Sequence, residues 1–134
     1  MRSPAWRDPA FLGVALPYVV IAMESAFYAS VSPLLPKLQT ELGLTDGGAG
    51  LLVAAYAIGL LVGSIPAGFV GSFAGLRTAA VVGLSLLAVA TGWFALGSSV
   101  EGLVLARCIQ GLGGGICWCA ALAWVVDAAP PGRR

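Results

Sequence analysis

Long stretches of this chain carry no charge at all. Residues 47–76, 78–100 and 108–126 are free of Asp, Glu, Lys and Arg, and in residues 9–36 only Glu24 interrupts. A membrane span needs about 20 mostly apolar residues, and backbone surrounded by lipid must satisfy its own hydrogen bonds, which a helix does. Only 10% of the 134 residues are charged, against about 25% in a soluble domain. That is too few to cover a water-facing surface. A soluble globule, a nucleic-acid binder and a disordered tail are therefore excluded, and a net charge of +1 implies no electrostatic partner. The pattern predicts an all-α membrane protein with four transmembrane helices over 9–31, 47–71, 78–98 and 100–126, and the lipid bilayer as its first partner.

The connections carry turn chemistry. Pro33 and Pro36 end the first span. Residues 34–43 fit a short surface helix closed by Gly43. Thr45 and Asp46 have the chemistry of an N-cap for the second span. Gly71, Ser72 and Gly75 make a tight link before Arg77. Ser98-Ser99-Val100-Glu101 has capping-box spacing and opens the fourth span, and Pro130-Pro131-Gly132 stops it.

Orientation follows from the basic residues, which gather on the cytoplasmic side. Arg2, Arg7, Arg77, Arg133 and Arg134 fall on one side of the four spans, and Lys37 alone falls on the other. Both termini are thus expected in the cytoplasm. Arg2 and Arg7 ahead of residues 10–23 also resemble a signal peptide, but Glu24 and the lack of a small-x-small cleavage site oppose that reading.

Two charges sit inside spans, Glu24 and Arg107. Each costs about 2.5–3.5 kcal/mol at mid-membrane, so such residues face a bundle interior or a cavity. At 1.5 Å per residue, Glu24 lies about 12 Å and Arg107 about 10 Å from the same membrane face. If the first and fourth spans are neighbours, the two charges pair or share a pocket. Helical periodicity puts Pro17, Val20, Glu24 and Tyr28 on one stripe, and Arg107, Gln110, Gly111, Gly114 and Trp118 on another. Glu24, Arg107, Gln110, Tyr28 and Trp118 are then expected to line one space suited to an amphipathic small molecule. Tyr28, like Trp6 and Trp93, also fits an interfacial belt. Gly59/Gly63 and Gly111/Gly115 form GxxxG patterns, which let a neighbouring backbone approach and are read as packing. Cys117 and Cys119 lie about 200° apart on a helix and have no further soft ligands, so no metal site is expected. The absence of His, of a metal cluster and of a nucleophile elbow opposes an enzyme, and no cofactor is expected.

Three stretches resemble the major facilitator superfamily of secondary transporters. Arg107-Cys-Ile-Gln110-Gly111-Leu-Gly113 resembles its R-x-x-Q-G-x-G motif. Residues 68–77, with Gly68, Gly75 and Arg77, resemble its cytoplasmic motif G-x-L-A-D-R-x-G-R-K. Ser72 replaces the acidic residue and Phe73 the arginine. Ser32-Pro33-Leu-Leu-Pro36 is similar to the P-x-x-P of its drug:proton antiporters, although Ala26-Phe27 stands where that branch has Leu-Gly. The resemblance covers the whole chain. It implies the N-terminal part of a twelve-helix fold, with the first and fourth spans lining a central cavity and Arg107 taking part in proton coupling. The departures at Ser72 and Phe73 put the cytoplasmic motif's gate-bracing role in doubt and leave Arg77 as a headgroup anchor.

The implied function is proton-coupled efflux of small amphipathic molecules from a bacterial plasma membrane. The partners are then a small-molecule substrate, protons and the remaining helices of a full-length carrier, and not nucleic acid. A complete four-helix exporter of the small multidrug type, acting as a dimer, is the first competitor. It also uses a Glu in its first helix, but the R-x-x-Q-G-x-G and P-x-x-P stretches do not fit it. The second competitor is a non-transporting subunit, which the embedded charges oppose. The closing Pro130-Pro131-Gly132-Arg133-Arg134 reads as a loop entering a fifth helix, so the 134 residues are expected to be an incomplete carrier that inserts but does not transport alone.

Overall fold

The computed structural model describes residues 9–128. Arg2, Trp6, Arg7, the Pro130-Pro131-Gly132 stop, Arg133 and Arg134 lie outside the described residues. Within them the chain forms α1 (Pro9–Ala29), a 3₁₀ turn (Ser32–Leu34), α2 (Leu35–Leu42), α3 (Asp46–Ala74), α4 (Leu76–Leu96) and α5 (Val100–Ala128), with no strand among the described residues. Four helices are long and apolar enough to cross a membrane.

Local chemistry explains the joints. α1 stops at Ala29 rather than 31, because the 3₁₀ turn carrying Pro33 follows. Gly43 takes the left-handed conformation (φ 62°) that closes α2, a conformation that costs little only without a Cβ. The Thr45 hydroxyl accepts from Gly48 N at 3.2 Å and caps α3. α3 runs to Ala74 rather than 71, and the tight link shrinks to Gly75 (φ 85°). At the start of α5 the cap is Ser99, which accepts from Gly102 N at 3.2 Å. The Ser98–Glu101 capping box is displaced by one residue, which leaves Glu101 to favour the helix dipole from the first turn.

α5 is the central helix. Its most extensive contacts are with α3 and α4, followed by α1. Two apolar clusters flank the middle of the bundle. One gathers Leu44, Ala49, Leu52 and Leu103 beneath the apolar face of α2. The other gathers Ala67, Ala79, Ala80, Ile116 and Ala120 toward the Gly75 end. The buried polar groups Glu24, Arg107 and Gln110 lie between these clusters.

Between the clusters the backbones nearly touch. A Cβ on Gly111 would sit 2.1 Å from the Tyr56 carbonyl oxygen, and one on Gly59 2.1 Å from that of Cys108. Gly63 meets Leu112 and Gly115 meets Leu60 equally closely. Both GxxxG patterns therefore face each other across the α3–α5 contact.

Candidate functional site

Glu24 is buried, with 2% of its surface exposed. Its carboxylate accepts the Tyr56 hydroxyl at 2.7 Å and the Trp118 indole N–H. Gly114 makes room for this group: a Cβ there would lie 2.9 Å from Glu24 Oε1 and 2.9 Å from the Tyr56 hydroxyl oxygen. Both donors are neutral. Among the described residues no ion pair includes Glu24; Lys37 and Glu41 pair at 3.7 Å on exposed α2.

Arg107 is buried too, at 1% exposure. Its guanidinium donates to the carbonyls of Phe27 (3.4 Å) and Tyr28 (3.2 Å) and to Gln110 Oε1 (3.0 Å). Those carbonyls belong to the last turn of α1, where the helix provides no partners of its own. Arg107 thus caps α1 from another helix and meets the negative end of its dipole. Its guanidinium carbon lies 4.4 Å from the centre of the Tyr56 ring. Hydrogen bonds to charged groups contribute about 1.5–3 kcal/mol each, and a desolvated cation–π contact about 2 kcal/mol. These contacts work against the insertion cost of a buried guanidinium without any carboxylate, although Nε of Arg107 has no hydrogen-bond partner among the described residues. Gln110 continues the chain by donating to Thr91 Oγ1 at 3.0 Å, and Thr91 donates to the Leu87 carbonyl at 2.7 Å.

The two charges therefore do not pair. Tyr56, fully buried on α3, stands between them, its hydroxyl on Glu24 and its ring under Arg107. The five residues expected around one space divide between two. Glu24, Tyr28 and Trp118, with Ser25, Tyr56, Ala57 and Leu60, line a cavity of about 380 Å³. Arg107 and Gln110 line a second one of about 390 Å³, with Ser30, Lys37, Glu41 and Thr91 among its walls. Axial offset separates the sets: Glu24 packs level with Gly114 and Trp118, while Arg107 sits about 10 Å further along α5 at the end of α1, so the two charges do not share the depth expected of them. Tyr28 is half-exposed, its ring centre 5.3 Å from that of Tyr56 at a 57° tilt. The sequence offers one signal for Tyr56: a phenol in the interior of an apolar span, where belt residues do not sit.

The other singled-out residues are dispersed. Gly75 forms the α3–α4 joint. Arg77 is exposed and stacks over Trp124 at 5.8 Å. Gly68 has open space where a side-chain methyl would stand, with no atom within 4 Å. Ser72 bonds the Phe69 carbonyl of its own helix at 2.9 Å, and Phe73 is 88% exposed. Pro33 lies in the 3₁₀ turn and Pro36 in the first turn of α2. Cys117 faces the Ala80 carbonyl and Cys119 that of Ser64, on different helices. No group of three or more His, Cys, Asp or Glu residues suited to a metal occurs among the described residues.

A family profile described as Major Facilitator Superfamily matches residues 18–134. The chain belongs to this superfamily. It is 33% identical over 104 residues to the quinolone resistance protein NorA of Staphylococcus aureus (strain MRSA252), a match covering 78% of this chain and 27% of NorA. It is 31% identical over 128 residues to the MFS-type transporter ppzB of Metarhizium majus, covering 96% of this chain and 26% of that protein. The chain thus spans about a quarter of the length of these relatives. No solved structure matches it with significance. As a superfamily member with four apolar spans it is a multi-pass integral membrane protein. The superfamily-like motif in α5 gains a physical account. Arg107 caps α1, Gln110 links Arg107 to Thr91, and Gly111 admits α3. Gly113 admits α4, since a Cβ there would lie 2.7 Å from the Gly83 carbonyl oxygen.

Proposed function

We propose that these residues serve proton-coupled efflux of small amphipathic molecules, with Glu24 as the group that exchanges a proton for substrate and Arg107 as the group that responds. The observation that carries the reading is a buried carboxylate with neutral donors only, facing a cavity walled by Tyr28, Tyr56 and Trp118. A carboxylate held away from water without a countercharge is costly, and either a proton or a cationic ligand relieves that cost. The cavity's aromatic walls suit a ligand with an apolar body and a positive group. Resistance to quinolones, named for the relative NorA, fits export of small molecules. Membership of the superfamily disfavours the small multidrug-type alternative, and the embedded charges weigh against a non-transporting subunit. In this reading both termini are cytoplasmic, α2 lies on the opposite face, and substrate is shared with further helices of the carrier.

Efflux from cells expressing the carrier that contains these residues provides the test. Glu24→Gln keeps the size and one acceptor oxygen and removes the charge, and is expected to abolish proton-coupled efflux while leaving the protein in the membrane. Undiminished efflux in that variant would eliminate the role given to Glu24.

A further inference from the structure

We propose that Tyr56 is a positioning residue that carries the protonation state of Glu24 to Arg107, and through Arg107 to the last turn of α1. The proposal rests on the reading of Glu24 as the proton-exchanging group.

Among the described residues, Tyr56 is the side chain that touches both buried charges. Its hydroxyl lies 2.7 Å from Glu24 Oε1 and its ring centre 4.4 Å from the Arg107 guanidinium carbon. The ring is rigid, so a shift of the hydroxyl is also a tilt of the face that Arg107 rests on. The Tyr56 backbone has no slack, because its carbonyl is pressed against Gly111 on α5. Adjustment therefore falls to the side chain alone.

The proton balance is simple. As a carboxylate, Glu24 accepts the Tyr56 hydroxyl proton. When Glu24 takes a proton from a hydronium ion that reaches the cavity, leaving water behind, the new acid O–H becomes the donor and the Tyr56 oxygen the acceptor. The Tyr56 O–H rotates aside with no covalent bond to it broken. The groups around Glu24 that titrate or carry charge are Tyr28 on its own helix, Tyr56 on α3, and Arg107 and Cys117 on α5. Of these, only Tyr56 is hydrogen-bonded to the carboxylate.

Beyond Tyr56 the path is a set of hydrogen bonds. Arg107 holds the Phe27 and Tyr28 carbonyls, and the Ser30 hydroxyl donates to the same Phe27 carbonyl at 2.7 Å. Ser30 lines the second cavity. A change at Glu24 in one cavity thus reaches a wall of the other, by way of an element that both charges bias.

Two readouts on the purified protein in lipid nanodiscs test this. The first is Trp118 fluorescence against pH, taken as the difference from Trp118→Phe. The second is the rate at which a small water-soluble thiol reagent modifies Ser30→Cys, corrected for labelling of the same protein without that substitution. Both are expected to change with pH at a common midpoint, and both changes are expected to vanish in Glu24→Gln. Tyr56→Phe keeps the ring and removes the hydroxyl. It is expected to move the Trp118 midpoint by about one pH unit, the equivalent of one hydrogen bond, and to abolish the pH dependence of Ser30→Cys labelling. A Trp118 titration that persists in Glu24→Gln defeats the reading of Glu24. A titration lost in Glu24→Gln, with labelling in Tyr56→Phe still following pH as in the wild type, defeats the proposal for Tyr56 and leaves that reading standing. Arg107→Lys is the second variant, since it keeps the charge but lacks the planar fork that spans both carbonyls. It is expected to uncouple labelling from pH while sparing the Trp118 titration, and wild-type labelling there also overturns the proposal.

Discussion

The central helix α5 meets α3 and α1 in different ways. Against α3 it presents Gly111 and Gly115 to Gly59 and Gly63, and the backbones themselves make the contact. Against α1 it presents Arg107, Gly114 and Trp118, and the contact is made by polar side chains reaching for Glu24 and for the C-terminal end of the helix. The first interface has no alternative arrangement, because close-packed backbones cannot slide without clashing. The second is built from hydrogen bonds whose donors and acceptors can exchange. One helix thus carries a fixed seam on one side and an adjustable one on the other, with Tyr56 belonging to both: its carbonyl sits in the fixed seam and its side chain in the adjustable one.

The sharpest way to break this comparison is Gly111→Val. The added Cβ would lie 2.1 Å from the Tyr56 carbonyl oxygen and 2.8 Å from Leu60 N, and backbone atoms cannot rotate away. A destabilisation of about 3 kcal/mol or more is expected, read as loss of the folded fraction during denaturation in detergent micelles. An unchanged unfolding midpoint would mean the seam is not fixed. Gly114→Ala comes next. Its Cβ would meet the flexible ends of Glu24 and Tyr56 at 2.9 Å, which can turn aside, so a cost of about 1 kcal/mol is expected. The fold survives, and the Trp118 fluorescence shifts because its carboxylate partner is displaced. Equal losses from the two variants would erase the distinction between the seams.

What the sequence discloses follows the same division. The spans are legible because charge-free runs of that length have few alternatives, and the Thr45 cap and the Gly43 stop because their chemistry is local. Glu24 and Arg107 stand out because embedded charge is costly. Their partners do not, because depth counted from expected span ends is uncertain by several residues and the order of helices is open: Glu24 packs level with Gly114, about 10 Å along α5 from Arg107. Arg107 finds carbonyls of α1 rather than Glu24, and Gln110 turns to Thr91 on α4. Within one motif Gly111 and Gly113 serve different neighbours, because two residues turn a helix by about 200°. Tyr56 is legible only in part, for a related reason. A phenol inside an apolar span signals a polar group in need of a partner, but only packing shows that it stands between two charges.

Gly68 offers the gentlest probe, and it bears on a third surface. It belongs to the stretch that resembles the superfamily's cytoplasmic motif, yet it is exposed, has no positive φ and has nothing within 4 Å of where a methyl would stand. Alanine is the better helix former by about 1 kcal/mol in water, so Gly68→Ala is expected to leave the unfolding midpoint of these residues unchanged or slightly raised. The same substitution in a longer carrier containing them asks a different question. If stability or transport falls sharply there, a further element approaches α3 at Gly68 as closely as α5 approaches at Gly59. If neither falls, the motif glycine carries no close contact, and the fixed seam remains confined to the line from Gly59 to Gly63.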